Sequence, residues 1–408
     1  MTTKDASLEG ARSSTAGKFL PADSEETPVL SVVLPTKNEA AGIERVIEEL
    51  GSAVAELDVA PELIVSDSST DGTASIASDI GAIIVNPDKE GYGYAYRYAF
   101  EHVRGDYVAL GDADTTYDFG ELPRLYERLV DGNADIVLGS RFEGEIRTGA
   151  MPMLHRYVGN PALTAFLNVF YDAGVTDAHS GFRVLSKDAL ESLSLQADGM
   201  EFASEMIMEA SMRGLVVEEI PITYRERVGE ATIDTFTDGW KHLQFMLLNA
   251  PGYLFSVPGL VSQLAGLLLM GLVFFEVEMT GLLSRPIWFG VRTMVVGSLL
   301  TIIGCQLTSL GIFSTVTADP IRRVANPLTN RIVDHLTLER GLLAGMLLLI
   351  SGIGYSLWLV AIWQRAGYEA LPPITHDILA FTVIVLGIQT AFSSFFMAYA
   401  SGDGVDNT

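Results

Sequence analysis

In its first third the chain reads Tyr107-Val108-Ala109-Leu110-Gly111-Asp112-Ala113-Asp114, a short apolar run followed directly by two carboxylates. Four similar runs occur at Leu30–Leu34, Glu62–Val65, Ala82–Val85 and Asp135–Leu138. Each is short and rich in Val, Ile or Leu, which is typical of buried strands. Longer segments such as Ala41–Leu57 separate them, with acidic and apolar residues at helical spacing. This alternation predicts an α/β domain with a mainly parallel sheet.

Polar motifs follow three of these predicted strands. They are Pro35-Thr36-Lys37-Asn38-Glu39, Ser66-Asp67-Ser68-Ser69-Thr70-Asp71-Gly72-Thr73 and the pair Asp112 and Asp114. In open α/β sheets, ligands bind beyond the carboxyl ends of the strands, where these motifs are expected to lie. Two carboxylates one residue apart can face a single divalent ion. For each motif alone, a solvated turn or a helix N-cap remains the alternative.

The distribution of charge separates two parts of the chain. Residues 1–250 contain 42 of the 51 Asp and Glu and 19 of the 26 Lys and Arg. A net charge of −25 argues against a nucleic-acid partner, since phosphate binding needs a basic surface. Only six of the basic residues are Lys, and such an acidic, Lys-poor composition favours adaptation to high salt, as in a halophilic archaeon. An ordinary acidic protein remains the alternative.

Four uncharged apolar stretches follow Lys241, at about 254–275, 293–317, 341–363 and 378–401. Each has about the 20 residues that a transmembrane helix requires. The loop between the second and third stretches contains Arg322, Arg323, Arg331 and Arg340. The positive-inside rule therefore predicts a multi-pass protein of the cell membrane, with this loop, the sheet domain and both termini in the cytoplasm.

The remaining segments are predicted from composition. Residues 1–28 are rich in small and acidic residues and are expected to form a disordered tail, and residues 402–408 a short acidic one. Residues 234–253 include an amphipathic stretch with Trp240, which predicts either a helix in the membrane interface or a plain linker. The single cysteine, Cys305, lies in an apolar run, so no intrachain disulfide is possible.

Further motifs continue in order along residues 29–233. They are Gly139-Ser140-Arg141, Asp177-Ala178-His179-Ser180-Gly181-Phe182-Arg183, Glu201-Phe202-Ala203-Ser204-Glu205-Met206 and Pro221-Ile222-Thr223-Tyr224. Together with the three motifs at the strand ends, this order resembles the family 2 glycosyltransferases. Within that family it is most similar to the dolichyl-phosphate mannose and glucose synthases. The resemblance implies a GT-A fold and an inverting transfer of a hexose.

The resemblance also implies a donor site. The residues expected to contact a UDP- or GDP-hexose are Pro35, Asn38, Glu39, Asp67, Asp71 and Asp112. Asp112 and Asp114 would hold Mg²⁺ or Mn²⁺ against the donor phosphates. Ser66 replaces an acid of the family motif, and Thr115-Thr116-Tyr117 stand where many mannose synthases have Leu-Gln-His. The sequence therefore does not choose between hexoses or between nucleotides.

The acceptor that the resemblance implies is a dolichyl or other polyprenyl phosphate. Such a phosphate is already anionic, so it needs cations rather than a general base. Guanidinium groups bind phosphate oxygens bidentately, which makes arginines the candidates. The predicted acceptor-phosphate residues are Arg141, Ser180, Arg183, Arg225 and Arg227, and the predicted catalytic residues are Asp114, Arg141 and Arg183.

Other functions remain as alternatives. The enzyme would extend a dolichyl-phosphate-linked oligosaccharide if the acceptor were a sugar hydroxyl, which needs a general base. His179 and Glu205 are the candidates for that base, although a structural role is expected for both. A non-enzymatic, lipid-binding or flippase-like module is the alternative from another class. For the main hypothesis, protein N-glycosylation and surface-layer glycan assembly are the expected pathway.

Overall fold

The computed structural model describes residues 18–228, 235–249, 252–276, 289–317, 338–369 and 371–401. The chain divides into two compact units, Met1–Phe245 and Met246–Thr408. The boundary between them falls inside the 234–253 segment, where the predicted sheet domain gives way to the predicted spans.

The first unit is built on a seven-stranded sheet with the strand order β3-β2-β1-β4-β6-β5-β7. Its strands are β1 (Leu30–Thr36), β2 (Pro61–Asp67), β3 (Ile83–Val85), β4 (Tyr107–Leu110), β5 (Ile136–Ile146), β6 (Arg183–Ser186) and β7 (Val217–Tyr224). All neighbours pair in parallel except β6, which is antiparallel to both β4 and β5. The mainly parallel sheet is therefore confirmed, and the five predicted strands correspond to β1–β5.

The register of the sheet brings the motifs to one edge. In the parallel pairs, Thr36 lies opposite Asp67 and Val33 lies opposite Leu110, so β1, β2 and β4 end side by side. Antiparallel β6 starts at this same edge, because its first residue, Arg183, lies opposite Leu110. The segment that precedes β6 therefore meets the segments that follow β1, β2 and β4.

Helices cover the sheet. They are α1 (Ile43–Val54), α2 (Thr73–Asp79), α3 (Tyr92–Phe100), α4 (Leu122–Asp131), α5 (Asn160–Tyr171), α6 (Lys187–Ser192) and α7 (Phe202–Arg213). In α1, which lies within the predicted 41–57 helix, the buried residues include Ile43, Val46, Ile47 and Leu50. This spacing of three and four residues puts one apolar face against the sheet. Helix α8 (Thr235–Asn249) follows and crosses the boundary between the units.

The segment before β1 packs on the sheet domain. Phe19 is buried, and the backbone N–H of Leu20 donates to the Pro61 carbonyl at 2.8 Å. The Arg104 guanidinium donates to the carbonyls of Pro21 and Ala22 at 3.0 and 3.2 Å. The prediction that all of residues 1–28 form a disordered tail is therefore wrong from residue 18 onward. Phe19 and these hydrogen bonds together hold the segment, and no apolar run marks it in the sequence.

The second unit contains the four predicted spans. Its helices are α9 (Val257–Phe274), α10 (Val291–Thr317), α11 (Leu338–Arg365) and α12 (Ile374–Ser401). All four are long and apolar enough to cross a membrane, and only 17–28% of each span is buried within the structure. Such broad apolar surfaces are stable against hydrocarbon rather than water. The prediction of four membrane helices is confirmed.

Glycines allow these helices to pack closely. A Cβ on Gly266 of α9 would lie 2.5 Å from the Gly297 carbonyl oxygen of α10. A Cβ on Gly345 of α11 would lie 2.8 Å from the Gly387 carbonyl oxygen of α12. Small residues at such contacts let transmembrane backbones approach, which compensates for the weak hydrophobic drive between helices in lipid.

Several predictions fall outside the described residues. They concern the tail segments 1–17 and 402–408 and most of the loop at 318–337, which contains Arg322, Arg323 and Arg331. The orientation across the membrane therefore stays a prediction. Helix α8 occupies most of the 234–253 segment, and its Trp240 is exposed.

Candidate active site

The ends of β1 and β2 are tied together by side-chain hydrogen bonds. Thr36 Oγ1 and Ser69 Oγ each donate to Asp67 Oδ1 at 2.6 Å. Asn38 has a left-handed backbone with φ of 60°, and its Oδ1 accepts from the Thr70 N–H at 2.9 Å. These contacts hold the predicted nucleotide-binding residues in fixed positions, which reduces the ordering cost of binding a ligand.

Asp71 stabilises the first turn of α2. Its Oδ1 accepts from the Thr73 N–H at 3.0 Å and from Thr73 Oγ1 at 2.5 Å. The hydrogen bond from the Thr73 side chain is the main cause that lowers the pKa of Asp71. The exposed carboxylate therefore stays ionised, and it has a structural role at the helix start that the N-cap alternative anticipated.

Asp112 and Asp114 follow β4 at the same edge. Tyr92 donates from its phenol to Asp112 Oδ1 at 2.8 Å, and Thr116 N–H donates to Asp114 Oδ1 at 3.1 Å. Burial and, to a smaller extent, the neighbouring Asp114 carboxylate together raise the pKa of Asp112 to about 7. A buried carboxylate beside a second one is stabilised in its ionised form when a cation neutralises the pair.

Asp112 and Asp114 carry the chemistry that a divalent ion requires. Gly181 lies directly against this pair, since a Cβ there would be only 2.8 Å from Asp112 Oδ2. Within the described ranges, no group of three or more His, Cys, Asp or Glu side chains is arranged to hold a metal. Two carboxylates with the remaining ligands supplied by phosphates and water are the usual set for Mg²⁺ at nucleotide sites. Asp112 and Asp114 match that set.

Glu39 and Arg227 complete this edge. The Arg227 guanidinium pairs with Glu39, and its Nη1 lies 3.8 Å from Asp114 Oδ2. Burial raises the pKa of Glu39 to about 7, although the charge of Arg227 opposes the shift. The predicted donor residue Glu39, the predicted metal residue Asp114 and the predicted acceptor residue Arg227 are therefore neighbours.

Arg141 is held in a buried ion pair with Asp177. Arg141 Nε and Nη2 donate to the two carboxylate oxygens at 2.7 and 2.8 Å, and the Arg141 N–H donates at 3.0 Å. The guanidinium also lies 5.1 Å from the centre of the Tyr224 ring. Burial acts to raise the pKa of Asp177, but Arg141 holds it below its ordinary value. Arg141 thus fixes the 177–183 segment beside β5.

Arg183 does not occupy the position expected of a phosphate ligand. Its side chain is buried, with 1% of the residue exposed. Its guanidinium donates to the carbonyls of Ser180, Ala203 and Ala178 at 2.8, 3.0 and 2.9 Å. Arg183 therefore joins the 177–183 segment to α7. Its burial is tolerated because its guanidinium is hydrogen-bonded to these three carbonyls.

The other two predicted acceptor residues differ in their surroundings. Ser180 Oγ is buried and has no hydrogen-bond partner among the described residues. Arg225 pairs with Glu49 of α1 at 3.0 Å and with Asp118. Two carboxylates therefore hold Arg225, whereas Ser180, next to Gly181 in the chain, keeps an unused donor.

The two candidate bases have structural contacts. His179 Nε2 lies 2.9 Å from Ser204 Oγ, and the same hydroxyl lies 3.4 Å from Nδ1 of the buried His242 on α8. Glu205, also buried, accepts from the backbone N–H groups of Gln196 and Ala197. Both therefore hold segments of the first unit together, as the sequence predicted.

His179 is expected to make stability depend on pH. Burial lowers its pKa to about 3, with His242 adding to the effect. The unfolded chain binds a proton near the ordinary pKa of about 6.5, whereas the folded state does not. Stability should therefore fall from about pH 6.5 downward, by at most about 1.4 kcal/mol per pH unit. Thermal unfolding midpoints of the wild type and His179→Gln should diverge in the variant's favour between pH 6.5 and 4.5. A constant difference across that range would contradict this assignment.

Three site residues were absent from the sequence predictions. Tyr92 contacts Asp112, the Tyr117 phenol accepts from the Gly181 N–H at 2.7 Å, and Gly181 packs against Asp112. The motif Gly91-Tyr92-Gly93 is visible in the sequence, but it suggests only a turn that opens a helix. Nothing in the spacing indicates that its tyrosine reaches a carboxylate 20 residues later.

Family models match both parts of the chain. Residues 31–194 match glycosyl transferase family 2, and residues 315–401 match the glycosyltransferase family 2 C-terminal transmembrane region. A relative from Haloferax volcanii is 50% identical over 379 residues, which cover 93% of this chain and 91% of that protein. This chain belongs to glycosyltransferase family 2. The resemblance seen in the motifs is thereby confirmed, as is the GT-A fold.

The Haloferax relative is the low-salt glycan biosynthesis hexosyltransferase Agl6. Glycosyltransferase AglJ of the same organism is 31% identical over 294 residues, covering 67% of this chain and 92% of that protein. A dolichyl-phosphate hexose transferase of the same organism is 31% identical over 210 residues, covering 52% and 89%. This family 2 member is therefore a membrane glycosyltransferase, and the non-enzymatic alternative is wrong.

Proposed function

We propose that this glycosyltransferase moves a hexose from a UDP- or GDP-hexose to a dolichyl or other polyprenyl phosphate. Transfer would occur at the cytoplasmic face of the cell membrane with inversion at the anomeric carbon. The product would serve protein N-glycosylation or surface-layer glycan assembly. The names of the Haloferax relatives and the acidic composition support this proposal.

The donor end of the site rests on four carboxylates. Asp67 and Asp71 would accept hydrogen bonds from the base and ribose. Asp112 and Asp114 would hold Mg²⁺ or Mn²⁺, whose charge would neutralise the leaving diphosphate. Glu39 pairs with Arg227 and keeps that cation beside Asp114. A donor held in this way would have its anomeric carbon open to attack from the face opposite the diphosphate.

The acceptor assignment rests on one observation, which is that both candidate bases are already hydrogen-bonded to other residues. His179 is hydrogen-bonded to Ser204 and has a pKa lowered to about 3, and Glu205 binds two backbone N–H groups. A sugar hydroxyl would need such a base to remove its proton, whereas a phosphate monoester attacks as the anion it already is. The acceptor that matches these contacts is therefore an anion.

Arg227 is the cation best placed for that anion. Its guanidinium lies between Glu39 and Asp114, and its Nε is buried without a hydrogen-bond partner in the described part of the chain. An incoming phosphate would satisfy this donor and replace part of the ion pair with Glu39. Ser180 Oγ offers a second unused donor in the same unit. In this proposal Arg141 and Arg183 position the 177–183 segment, and Arg225 has a supporting role.

An exposed apolar surface fits a lipid acceptor. The turn before α5 and the helix itself expose large apolar side chains, with Met153 76%, Tyr157 64% and Val169 68% exposed. Patches of this kind mark interaction sites for membranes or proteins. Since the same chain carries four apolar spans, a bilayer surface is the partner that is always within reach.

The competing function is extension of a dolichyl-phosphate-linked oligosaccharide. One observation favours it: Glu39 has a pKa raised to about 7, the value suited to a general base. In that case Glu39, rather than His179 or Glu205, would remove the proton from an acceptor hydroxyl.

An acceptor panel separates the two functions. The full-length protein in detergent would receive radiolabelled UDP-glucose, UDP-galactose, GDP-mannose or another hexose donor with Mn²⁺. Each donor would be paired with dolichyl phosphate or with a dolichyl-phosphate-linked hexose. Label entering the lipid phase with dolichyl phosphate alone is the expected result. Label that appears only with the glycosylated lipid would reject the proposal and establish extension instead.

A further inference from the structure

Tyr92 contacts one oxygen of the carboxylate pair proposed to hold the divalent ion. Its phenol donates to Asp112 Oδ1 at 2.8 Å, and it is the first residue of α3. Asp112 Oδ2 points toward Gly181, where a Cβ would lie 2.8 Å away. One oxygen of Asp112 thus accepts a hydrogen bond from the tyrosine, and the other lies against Gly181.

The start of α3 is packed so that Tyr92 has little freedom. A Cβ on Gly91 would lie 2.3 Å from the Asp198 carbonyl oxygen, and one on Gly93 would lie 2.3 Å from that of Ala197. Both glycines therefore allow the helix to lie directly against the 197–199 backbone. Gly91 has a φ of 150°, a conformation that other residues rarely adopt.

Aromatic neighbours fix the ring. Tyr92 meets Tyr96 edge to face with the ring centres 5.2 Å apart, and Phe202 at 6.3 Å. Tyr96 in turn donates to the Gly111 carbonyl at 2.9 Å. Two tyrosines on successive turns of α3 therefore hold two successive residues after β4, the backbone of Gly111 and the carboxylate of Asp112.

We propose that Tyr92 is a positioning residue that orients Asp112 toward the divalent ion, an inference that rests on the proposed function. A carboxylate that is free to rotate loses part of its advantage as a ligand. A hydrogen bond to its second oxygen restricts that rotation, and outer partners of metal ligands commonly have this effect. Tyr92 acts through Asp112 and does not contact the substrate itself.

The test compares Tyr92→Phe with Tyr94→Phe in the full-length protein in detergent. Tyr94 lies on the same helix and donates to Asp88, which precedes that helix, so its variant loses a tyrosine–carboxylate contact that does not involve Asp112. Mn²⁺ binding in the presence of UDP would be measured by electron paramagnetic resonance of the free ion. We expect Tyr92→Phe to weaken Mn²⁺ binding about tenfold and Tyr94→Phe to leave it unchanged. The Mn²⁺ concentration for half-maximal activity should rise in parallel.

A second variant tests the same contact in case Tyr92→Phe does not fold. Gly181→Ala places a Cβ 2.8 Å from Asp112 Oδ2 and 3.1 Å from Tyr92 Oη, so it disturbs the same contact without altering α3. It should also weaken Mn²⁺ binding. If both variants bind Mn²⁺ with wild-type affinity, the proposed role of Tyr92 is wrong, but the metal assignment of Asp112 and Asp114 is not affected. A wild-type protein that does not bind Mn²⁺ would overturn the metal assignment of Asp112 and Asp114, and this inference with it.

Discussion

Asp114→Asn is expected to reduce hexose transfer on the order of 10³-fold, since several kcal/mol of transition-state stabilisation depend on this carboxylate. Asp114 lies beside Arg227 and raises the pKa of Asp112, so it belongs to the charged centre of the site. The amide keeps the shape and the Thr116 contacts but removes the charge that would attract a divalent ion. The measurement is the initial rate of label transfer from nucleotide-sugar to lipid at saturating Mn²⁺.

Asp106→Asn is the matched control. Asp106 is exposed and directly precedes β4, whereas Asp114 follows that strand at the other end. The control should transfer hexose at close to the wild-type rate and unfold at the same temperature. Transfer by Asp114→Asn within tenfold of the wild type would mean that the carboxylate pair does not serve the reaction.

Arg141→Met is expected to destabilise the first unit by about 3–5 kcal/mol, because it leaves the buried Asp177 carboxylate without its partner. Both side chains are less than a tenth exposed, and the pair is bidentate. The thermal midpoint of the full-length protein should fall by about 10 °C, given about 2–4 °C per kcal/mol for a unit of this size. Scanning calorimetry in detergent would measure it.

Two further variants decide the cause of that loss. Arg141→Met combined with Asp177→Leu removes both charges and should recover most of the lost stability, since the penalty comes from an unpaired charge. Arg124→Met breaks an exposed pair with Glu121 and should change the midpoint by no more than about 1 °C, since surface pairs contribute little. Equal losses in the single and double variants would instead indicate that packing of the arginine side chain determines the effect.

The placement of the motifs at one sheet edge could be predicted because parallel strands impose it. Apolar runs identify β1, β2 and β4, and their carboxyl ends must meet once the strands pair in parallel. Asp67, Asp112 and Asp114 therefore come together without any knowledge of side-chain contacts. The membrane helices could be predicted as directly, because an apolar stretch of about 20 residues is long enough to cross the bilayer as a helix.

The roles of the arginines could not be predicted in the same way. In the sequence, Arg141, Arg183 and Arg227 are all candidates for binding the acceptor phosphate. In the structure, Arg141 pairs with Asp177 and Arg183 binds three backbone carbonyls. Which cation stays near the carboxylates depends on where the segments before β6 and after β7 lie. That arrangement follows from the insertion of β6 between β4 and β5, antiparallel to both. No apolar run in the sequence predicts this strand.

Sequence by itself determined the α/β class, the four spans and the identity of the strand-end carboxylates, because these depend on periodicity, length and order along the chain. Tertiary structure alone decided that Tyr92 holds Asp112, that Gly181 packs against its second oxygen and that residues 18–24 pack on the sheet. The reason is physical: hydrophobic patterns are local, whereas a hydrogen bond between residues 20 positions apart exists only once the intervening strand and helix are packed.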